Sequence, residues 1–433
     1  MNRSPRNLQI TFSSKRLTNF GGIYLLQKYF QKINLRSFLY HYVRFPQRNN
    51  RYNIAEEILA LIYPISLGLN RIETTHLLKR NGVFQYLTAL PTYPNPTTLR
   101  RFLLRMAPLA LHKLRKLHDK LLLTMMLKPD SPRRVVFDLD STVLTLYGKQ
   151  EKAETGYNPK KRGRPSYQPL LGFNGFTKDC WHGELRPGDT HTATGIINFL
   201  EVCFNKMPSS VKTVIVRADK GFYDHKTVEY LEDRKALFVI VAKLTSPLRR
   251  KLPYLSYRKY ASGIETAEFL YQPINWKKEY RFVVIRRPIP EEPSHQLTLF
   301  TIGNYSYQVL VTNMKLNSLN TWKFYNKRAA VELIIKELKE NYPLGKIPTK
   351  YFLANEAYFH ILLFSYNLIN WFKRLCLPKE FRNLTLKTLR YRILLIPGEL
   401  VRSGNRPTLK LPANFVYKDS FGYALRKIEK LRI

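Results

Sequence analysis

The stretch that decides the fold is Val135 to Val143, VVFDLDSTV, which follows a change in composition at Ser131–Pro132. Its apolar residues are mostly β-branched or aromatic and alternate in part with polar ones, a pattern that predicts a strand. Because successive side chains of a strand point to opposite faces, Asp138 and Asp140 should share one face. The stretch therefore predicts a core strand with carboxylates near its end.

Two further strands are predicted downstream, at Thr213–Val216 and Ala236–Ala242, with a helix over about 224–233 between them. This strand–helix–strand order indicates an α/β sheet. A turn at Asp219–Gly221 follows the first of the two strands. Asp219 thus stands just past a strand end, where α/β sheets display functional groups.

The following segment, 243–320, largely lacks a helical pattern and predicts a β-rich insertion. Helices are predicted again over about 321–340 and 355–375. The predicted strands of the insertion are Phe269–Tyr271, Tyr280–Ile285, Gln296–Ile302 and Gln308–Thr312.

The N-terminal part predicts a basic helical region that binds DNA. The first 50 residues carry nine Lys or Arg and no Asp or Glu, and helical spacing follows over about 53–126. Asn95–Phe102 is typical of a capped helix start and includes Arg100 and Arg101. This helix would either read DNA as a recognition helix or pack its basic face on neighbouring helices. The tail from Pro378 is also basic.

Charge is the unusual feature of the composition. The 433 residues include 72 Lys or Arg and 31 Asp or Glu, a formal net charge of +41 with a pI near 10.1. Such self-repulsion favours a polyanionic partner such as nucleic acid. The longest apolar stretch, Ile361–Phe372, is shorter than a membrane span. The widely separated Cys180, Cys203 and Cys376 support neither a zinc site nor a disulfide framework, and we expect a cytoplasmic protein.

Four polar residues form a stripe on the predicted helix near 325. Tyr325, Arg328, Glu332 and Lys339 are spaced by 3, 4 and 7, which places them within a sector of roughly 60°. An exposed, ion-paired helix face would explain the same stripe. Glu332 together with the strand carboxylates would offer oxygen ligands for two Mg²⁺ ions and phosphoryl transfer. Each of these carboxylates could instead have a structural role, such as capping a helix in the case of Asp219.

These motifs together resemble the DDE transposases of insertion sequences. Tyr325-x2-Arg328-x3-Glu332-x6-Lys339 is similar, spacing for spacing, to the Y-R-E-K signature of that superfamily. Asp140-Ser141-Thr142 resembles the motif of its first Asp, and Val216 to Phe222 the motif of its second. The 113 residues from Asp219 to Glu332 also suit a family that carries a β-rich insertion there.

The resemblance implies an RNase H-like core whose Asp140, Asp219 and Glu332 bind two Mg²⁺ or Mn²⁺ ions. The implied reaction is cleavage at transposon ends followed by strand transfer into target DNA, with a homodimer in the synaptic complex. Tyr325, Arg328 and Lys339 would contact phosphates. The expected order is a DNA-binding region (1–128), core (129–242), insertion (243–320), core with the catalytic helix (321–376) and a basic region (377–433).

Some alternatives remain open from the sequence. Asp138, on the same strand face as Asp140, would support the metal ligands without binding the metal itself. The basic run Lys160–Pro165, with Arg162 and Arg164, predicts a DNA-touching loop or a minor-groove AT-hook. Trp276, or Trp322, would either stack on a flipped base or pack in the core. A nuclease or resolvase with the same core and an inactive, transposase-derived DNA-binding protein are the alternative functions.

Overall fold

The computed structural model describes residues 10–13, 15–47, 51–128, 132–159, 161–191, 193–260, 263–289 and 300–432, and its strands lie in three sheets. The strands are β1 Leu17–Thr18, β2 Arg134–Ser141, β3 Leu144–Thr145, β4 Glu154–Thr155, β5 Pro165–Tyr167, β6 Leu170–Asn174, β7 Cys180–Glu184, β8 Thr213–Ala218, β9 Leu237–Val241, β10 Arg258–Lys259, β11 Glu265–Tyr271, β12 Tyr280–Pro288, β13 Phe300–Ile302, β14 Tyr305–Thr312, β15 Gly398–Ser403 and β16 Arg406–Lys410.

The helices vary from a single turn to 31 residues, and short 3₁₀ or π segments lie between some of them. The helices are α1 Ile23–Lys32, α2 Leu35–Tyr42, α3 Ile54–Leu67, α4 His76–Lys79, α5 Gly82–Thr88, α6 Pro96–Met126, α7 Ile196–Asn205, α8 His225–Asp233, α9 Ser246–Lys251, α10 Ser318–Asn326, α11 Ala329–Glu340, α12 Phe352–Cys376, α13 Leu386–Leu389 and α14 Lys418–Lys430. Among the described helices, none is long and apolar enough to cross a membrane.

The chain folds as two compact units. One comprises Met1–Phe102 with Trp371–Ile433, and the other comprises Leu103–Asn370. The boundaries fall inside the long helices α6 and α12, whereas the sequence placed functional divisions near 128 and 376. The functional assignments of those five segments remain predictions.

The larger unit is organised by a mixed sheet, one side of which consists of five strands in the order β7-β6-β2-β8-β9. β2, β8 and β9 are parallel to one another, while β6 and β7 run antiparallel to their neighbours. The predicted α/β fold with an RNase H-like core is thereby confirmed. The core of β2 is buried from Val135 through Leu139, as expected of a strand covered on both faces.

The predicted β-rich segment continues this sheet at its β9 edge. β14 pairs antiparallel with β9, and β12, β11 and β10 follow in order beyond it. Three of the four predicted strands occur with longer bounds or shifted starts, as β11, β12 and β14. The fourth strand was predicted at Gln296–Ile302. Its last three residues form β13, and residues 296–299 lie outside the described residues.

The smaller unit joins sequence from both sides of the larger one. α3 begins with a capping box, in which the Asn53 side chain accepts from the Glu56 amide and the Glu56 side chain accepts from the Asn53 amide. At its other end Gly68 adopts φ +83°, and the buried Arg390 guanidinium donates to the carbonyl oxygens of Ile65 and Ser66 at 2.7 and 2.8 Å. An arginine from the C-terminal segment thus satisfies helix-end carbonyls of the N-terminal one.

Candidate active site

Two aspartates meet at one edge of the central sheet. Asp140 is the penultimate residue of β2, and Asp219 directly follows β8, the parallel neighbour of β2. Asp140 accepts a hydrogen bond from the Ser141 amide at 2.8 Å, and Asp219 accepts one from the Gly221 amide at 2.9 Å. Both carboxylates are therefore oriented by the backbone that follows their strands.

Arg328 connects the strand carboxylates to the helix carboxylate. Its guanidinium lies 3.3 Å from Oδ1 of Asp140 and 3.5 Å from Oε1 of Glu332. It also donates to the Leu139 carbonyl oxygen from Nε and Nη2, at 3.3 and 3.0 Å. The side chain of Arg328 is 5% exposed and that of Glu332 is 67% exposed. The arginine side chain is thus buried and hydrogen-bonded, whereas most of the glutamate side chain is exposed to solvent.

The electrostatics favour an added cation at Asp140. The pKa of this carboxyl is raised to about 6, mainly by burial and in part by the neighbouring Asp219 and Glu332, while Arg328 opposes the shift. A single guanidinium therefore compensates the three carboxylates incompletely. Among the described residues, no three Asp, Glu, His or Cys lie close enough to hold a metal ion in this arrangement.

The predicted helix over about 321–340 is present but divided in two, because α10 ends at Asn326 and α11 begins at Ala329. In an unbroken α-helix the carbonyl of Phe324 would accept from the amide of Arg328. Here Nη1 of Arg217 donates to that carbonyl at 2.7 Å, and the Arg328 amide donates instead to Tyr325. A side chain from β8 thus occupies the free carbonyl at the break before α11, the helix that carries Glu332.

Arg217 is itself held by Asp138. The two side chains form a bidentate pair, with Nε to Oδ1 at 2.6 Å and Nη2 to Oδ2 at 2.7 Å. Both residues are at most 2% exposed. Burial raises the pKa of the Asp138 carboxyl, and the bonds from Arg217 oppose that shift. The carboxylate of Asp138 is therefore paired with the Arg217 guanidinium. The carboxylate of Asp140, near the end of β2, remains as the candidate metal ligand of this strand.

Sequence reasoning did not single out Arg217. The available signal was a lone arginine inside the apolar run Thr213–Ala218 and an aspartate, Asp138, within the apolar part of the strand predicted at Val135–Val143. Because buried charges are paired, two such interruptions in neighbouring strands indicate an ion pair.

The other residues of the stripe contact the chain itself. Tyr325 is 8% exposed and packs in an apolar cluster with Val136 and Ile215. Nζ of Lys339 donates to the Val143 carbonyl oxygen at 3.0 Å, which ties α11 to the segment after β2. Contact of these side chains with DNA stays a prediction.

The remaining basic candidates lie on exposed parts of their units. Arg162 and Arg164 are exposed, and the Arg164 guanidinium lies 5.9 Å from the ring centre of Tyr147; Lys160 lies outside the described residues. In the smaller unit, Arg101 is exposed and Arg100 forms an ion pair with Glu73. None of these contacts tests a role in DNA binding.

The two tryptophan candidates have neighbours in the protein. Trp276 is 8% exposed and stacks on Tyr223, with ring centres 5.1 Å apart, as a core residue would. Nε1 of Trp322 donates to Gln308 at 3.0 Å, and the Arg287 guanidinium lies 4.6 Å from its ring.

The family described as Transposase DDE domain group 1 matches residues 2–433. The chain belongs to this DDE transposase family. The predicted membership is confirmed, whereas the finer assignment to a Y-R-E-K group stays a prediction. No curated protein matches.

Two solved structures to which this DDE transposase is similar are transposases in complex with DNA. A piggyBac transposase synaptic complex with hairpin DNA shows 12% identity and a TM-score of 0.40, over 94% of this chain and 90% of that one. A Mos1 transposase paired-end complex with the left transposon end shows 14% identity and a TM-score of 0.18, over 45% and 60%.

Proposed function

We propose that this DDE transposase cleaves DNA at the ends of its element and joins the resulting 3′ ends to target DNA. The observation that carries the proposal is the electrostatic coupling of three carboxylates from distant segments, Asp140, Asp219 and Glu332, to the single guanidinium of Arg328. Their coupling is electrostatic as well as spatial, since Asp219 and Glu332 both raise the pKa of Asp140.

The donor set fits divalent metal ions. Mg²⁺ and Mn²⁺ prefer carboxylate oxygens and retain water and phosphate ligands, so three carboxylates suffice for two ions. When bound, the two ions supply the charge that activates the attacking oxygen and stabilises the leaving oxygen. The exposed Glu332 would turn from Arg328 toward the strand carboxylates to complete the ligand set.

The chain itself supplies the placement of these ligands. Arg328 holds the Leu139 carbonyl and so fixes the backbone next to Asp140. Lys339 holds the Val143 carbonyl from the helix that carries Glu332. In the reaction a water oxygen would replace the 3′ oxygen on phosphorus, and the freed 3′ hydroxyl would then attack a target phosphate, whose own 3′ oxygen leaves with a proton.

Double-stranded DNA is the proposed partner, as both element ends and target. The net charge of +41 supports a polyanionic partner. We propose that residues 1–128, with Arg100 and Arg101, contribute to end binding, and that Arg162 and Arg164 contact DNA near the larger unit's site. A homodimer would bring two ends together.

Incubation of the purified protein with Mg²⁺ or Mn²⁺ and DNA carrying the element's ends tests the proposal. We expect cleavage and joining that require the metal and are lost in Glu332→Gln, while binding changes by no more than a few fold. Glu340→Gln, an exposed glutamate on the same helix, is the matched control and should remain active. Cleavage without joining would identify a nuclease; end binding without cleavage under either metal would refute the catalytic proposal.

A further inference from the structure

The smaller unit contains a basic cavity of about 430 Å³ that the proposed catalysis does not use. It lies between β1, the start of α5 and β15. Its cationic side chains are Lys15, Arg16 and Arg80, and no residue that lines it is acidic. Within the described part of the chain, these three side chains take part in no hydrogen bond or ion pair.

Apart from Asn81, the rest of the cavity is apolar and partly aromatic. Leu17, Val83 and Leu400 line it, and the Tyr86 side chain stands beside them with 55% of its surface exposed. A Cβ placed on Gly82, which also lines the cavity, would meet nothing within 4 Å. The cavity is therefore open, and it has the size of small-molecule sites, roughly 300–1,000 Å³.

This combination fits a nucleotide. The cationic side chains match a phosphate, and an exposed aromatic ring among apolar side chains matches the face of a base. The base must be unpaired, because inside a duplex both faces of each base are covered by its neighbours. We propose that this cavity, the Arg80–Tyr86 pocket, binds an unpaired nucleotide of the DNA on which the enzyme acts. The proposal rests on the DNA-binding part of the proposed function.

Binding to short duplexes in EDTA tests the pocket without any cleavage. Full-length wild-type protein should bind a fluorescent duplex with a five-nucleotide single-stranded 3′ extension about 5- to 100-fold more tightly than the blunt duplex, from the usual contribution of one stacked base. Tyr86→Leu and Arg80→Gln should each remove most of this preference. Tyr391→Leu and Arg426→Gln, exposed residues of the same unit outside the pocket, are matched controls and should retain it.

A second variant adds bulk at the cavity wall and leaves every cation in place. Gly82→Leu should weaken binding of the extended duplex toward the level of the blunt one, because Gly82 lines the cavity and the added side chain would compete with a bound nucleotide. A 2-aminopurine in the extension should lose fluorescence on binding to wild type and keep it on binding to Tyr86→Leu.

The pocket assignment is overturned if wild type binds both duplexes equally, or if the three pocket variants keep the preference. Either result leaves metal-dependent cleavage untouched, since that is measured separately with Mg²⁺. Loss of cleavage in Glu332→Gln with an intact preference would support both proposals independently. Absence of wild-type cleavage with an intact preference would refute the catalytic proposal alone.

Discussion

Substitution of Arg217 should lower the stability of the protein more than substitution of any surface charge of the same unit. Arg217→Met leaves the Asp138 carboxylate, 1% exposed, without its counter-charge and leaves the Phe324 carbonyl without its donor. Breaking a buried ion pair on one side costs about 3–5 kcal/mol. For a unit of this size that loss should lower the melting temperature by about 6–20 °C.

The assay is urea unfolding of wild type, Arg217→Met, Asp138→Leu and the double variant. Each single change should be severe, but the double variant should recover part of the loss, because it leaves neither charge buried alone. Lys278→Met is the control: this lysine pairs with Glu232 at 2.8 Å but its side chain is 58% exposed, so its loss should cost less than about 1 kcal/mol.

A positioning role adds a second readout. If Arg217 sets the break between α10 and α11, Arg217→Met at a temperature where it is folded should lose cleavage while still binding DNA. A stability loss below about 1 kcal/mol would refute the energetic argument. A folded variant with wild-type cleavage would refute the role of Arg217 in placing Glu332.

Three further outcomes follow from the geometry. Gly175→Ala should destabilise the protein by about 1–3 kcal/mol in urea, since its Cβ would lie 2.7 Å from Arg217 and 2.8 Å from Asp138; Gly82→Ala should not, and equal losses would contradict the crowding argument. Burial lowers the pKa of His118 to about 3, so the stability it contributes is present above its unfolded pKa of 6.5 and is lost as pH falls. Unfolding free energy should drop by about 2 kcal/mol more between pH 7 and 5 than in His118→Gln, and parallel pH profiles would refute this. Because the pKa of Asp140 is about 6 without metal, the Mn²⁺ concentration for half-saturation, measured by calorimetry, should rise by up to about tenfold per pH unit below 6. A constant value from pH 7 to 5 would show that Asp140 is not a ligand.

The central strands were predictable because their signal is local. β2 and β9 match their predicted segments closely, since apolar and β-branched runs of this length have few alternatives to a buried strand. The positions of Asp140 and Asp219 at strand ends followed from the same pattern. Their roles as metal ligands stay predictions.

The break between α10 and α11 could not be predicted from local sequence. The helix was predicted over about 321–340 without a break, and the hydrogen bond at the break comes from Arg217, 107 residues away from Phe324. For the same reason the burial of Arg328 was missed: its partner carbonyl belongs to Leu139, 189 residues away. Hydrogen bonds between residues far apart in sequence determine both the helix break and the burial of Arg328. A single sequence does not show which distant residues pair.

The discontinuous smaller unit has a consequence for synthesis on the ribosome. β1 pairs with β15, and Arg390 caps α3, so the N-terminal segment lacks its partners until residues beyond 390 emerge. The 268 residues from 103 to 370 take roughly 13–54 s to translate at ordinary rates of about 5–20 residues per second. Throughout that interval the apolar faces of α1 and α3 lack part of their packing partners and are accessible to chaperones. The portion translated first is thus completed last, after the carboxylate-bearing unit has been made in full.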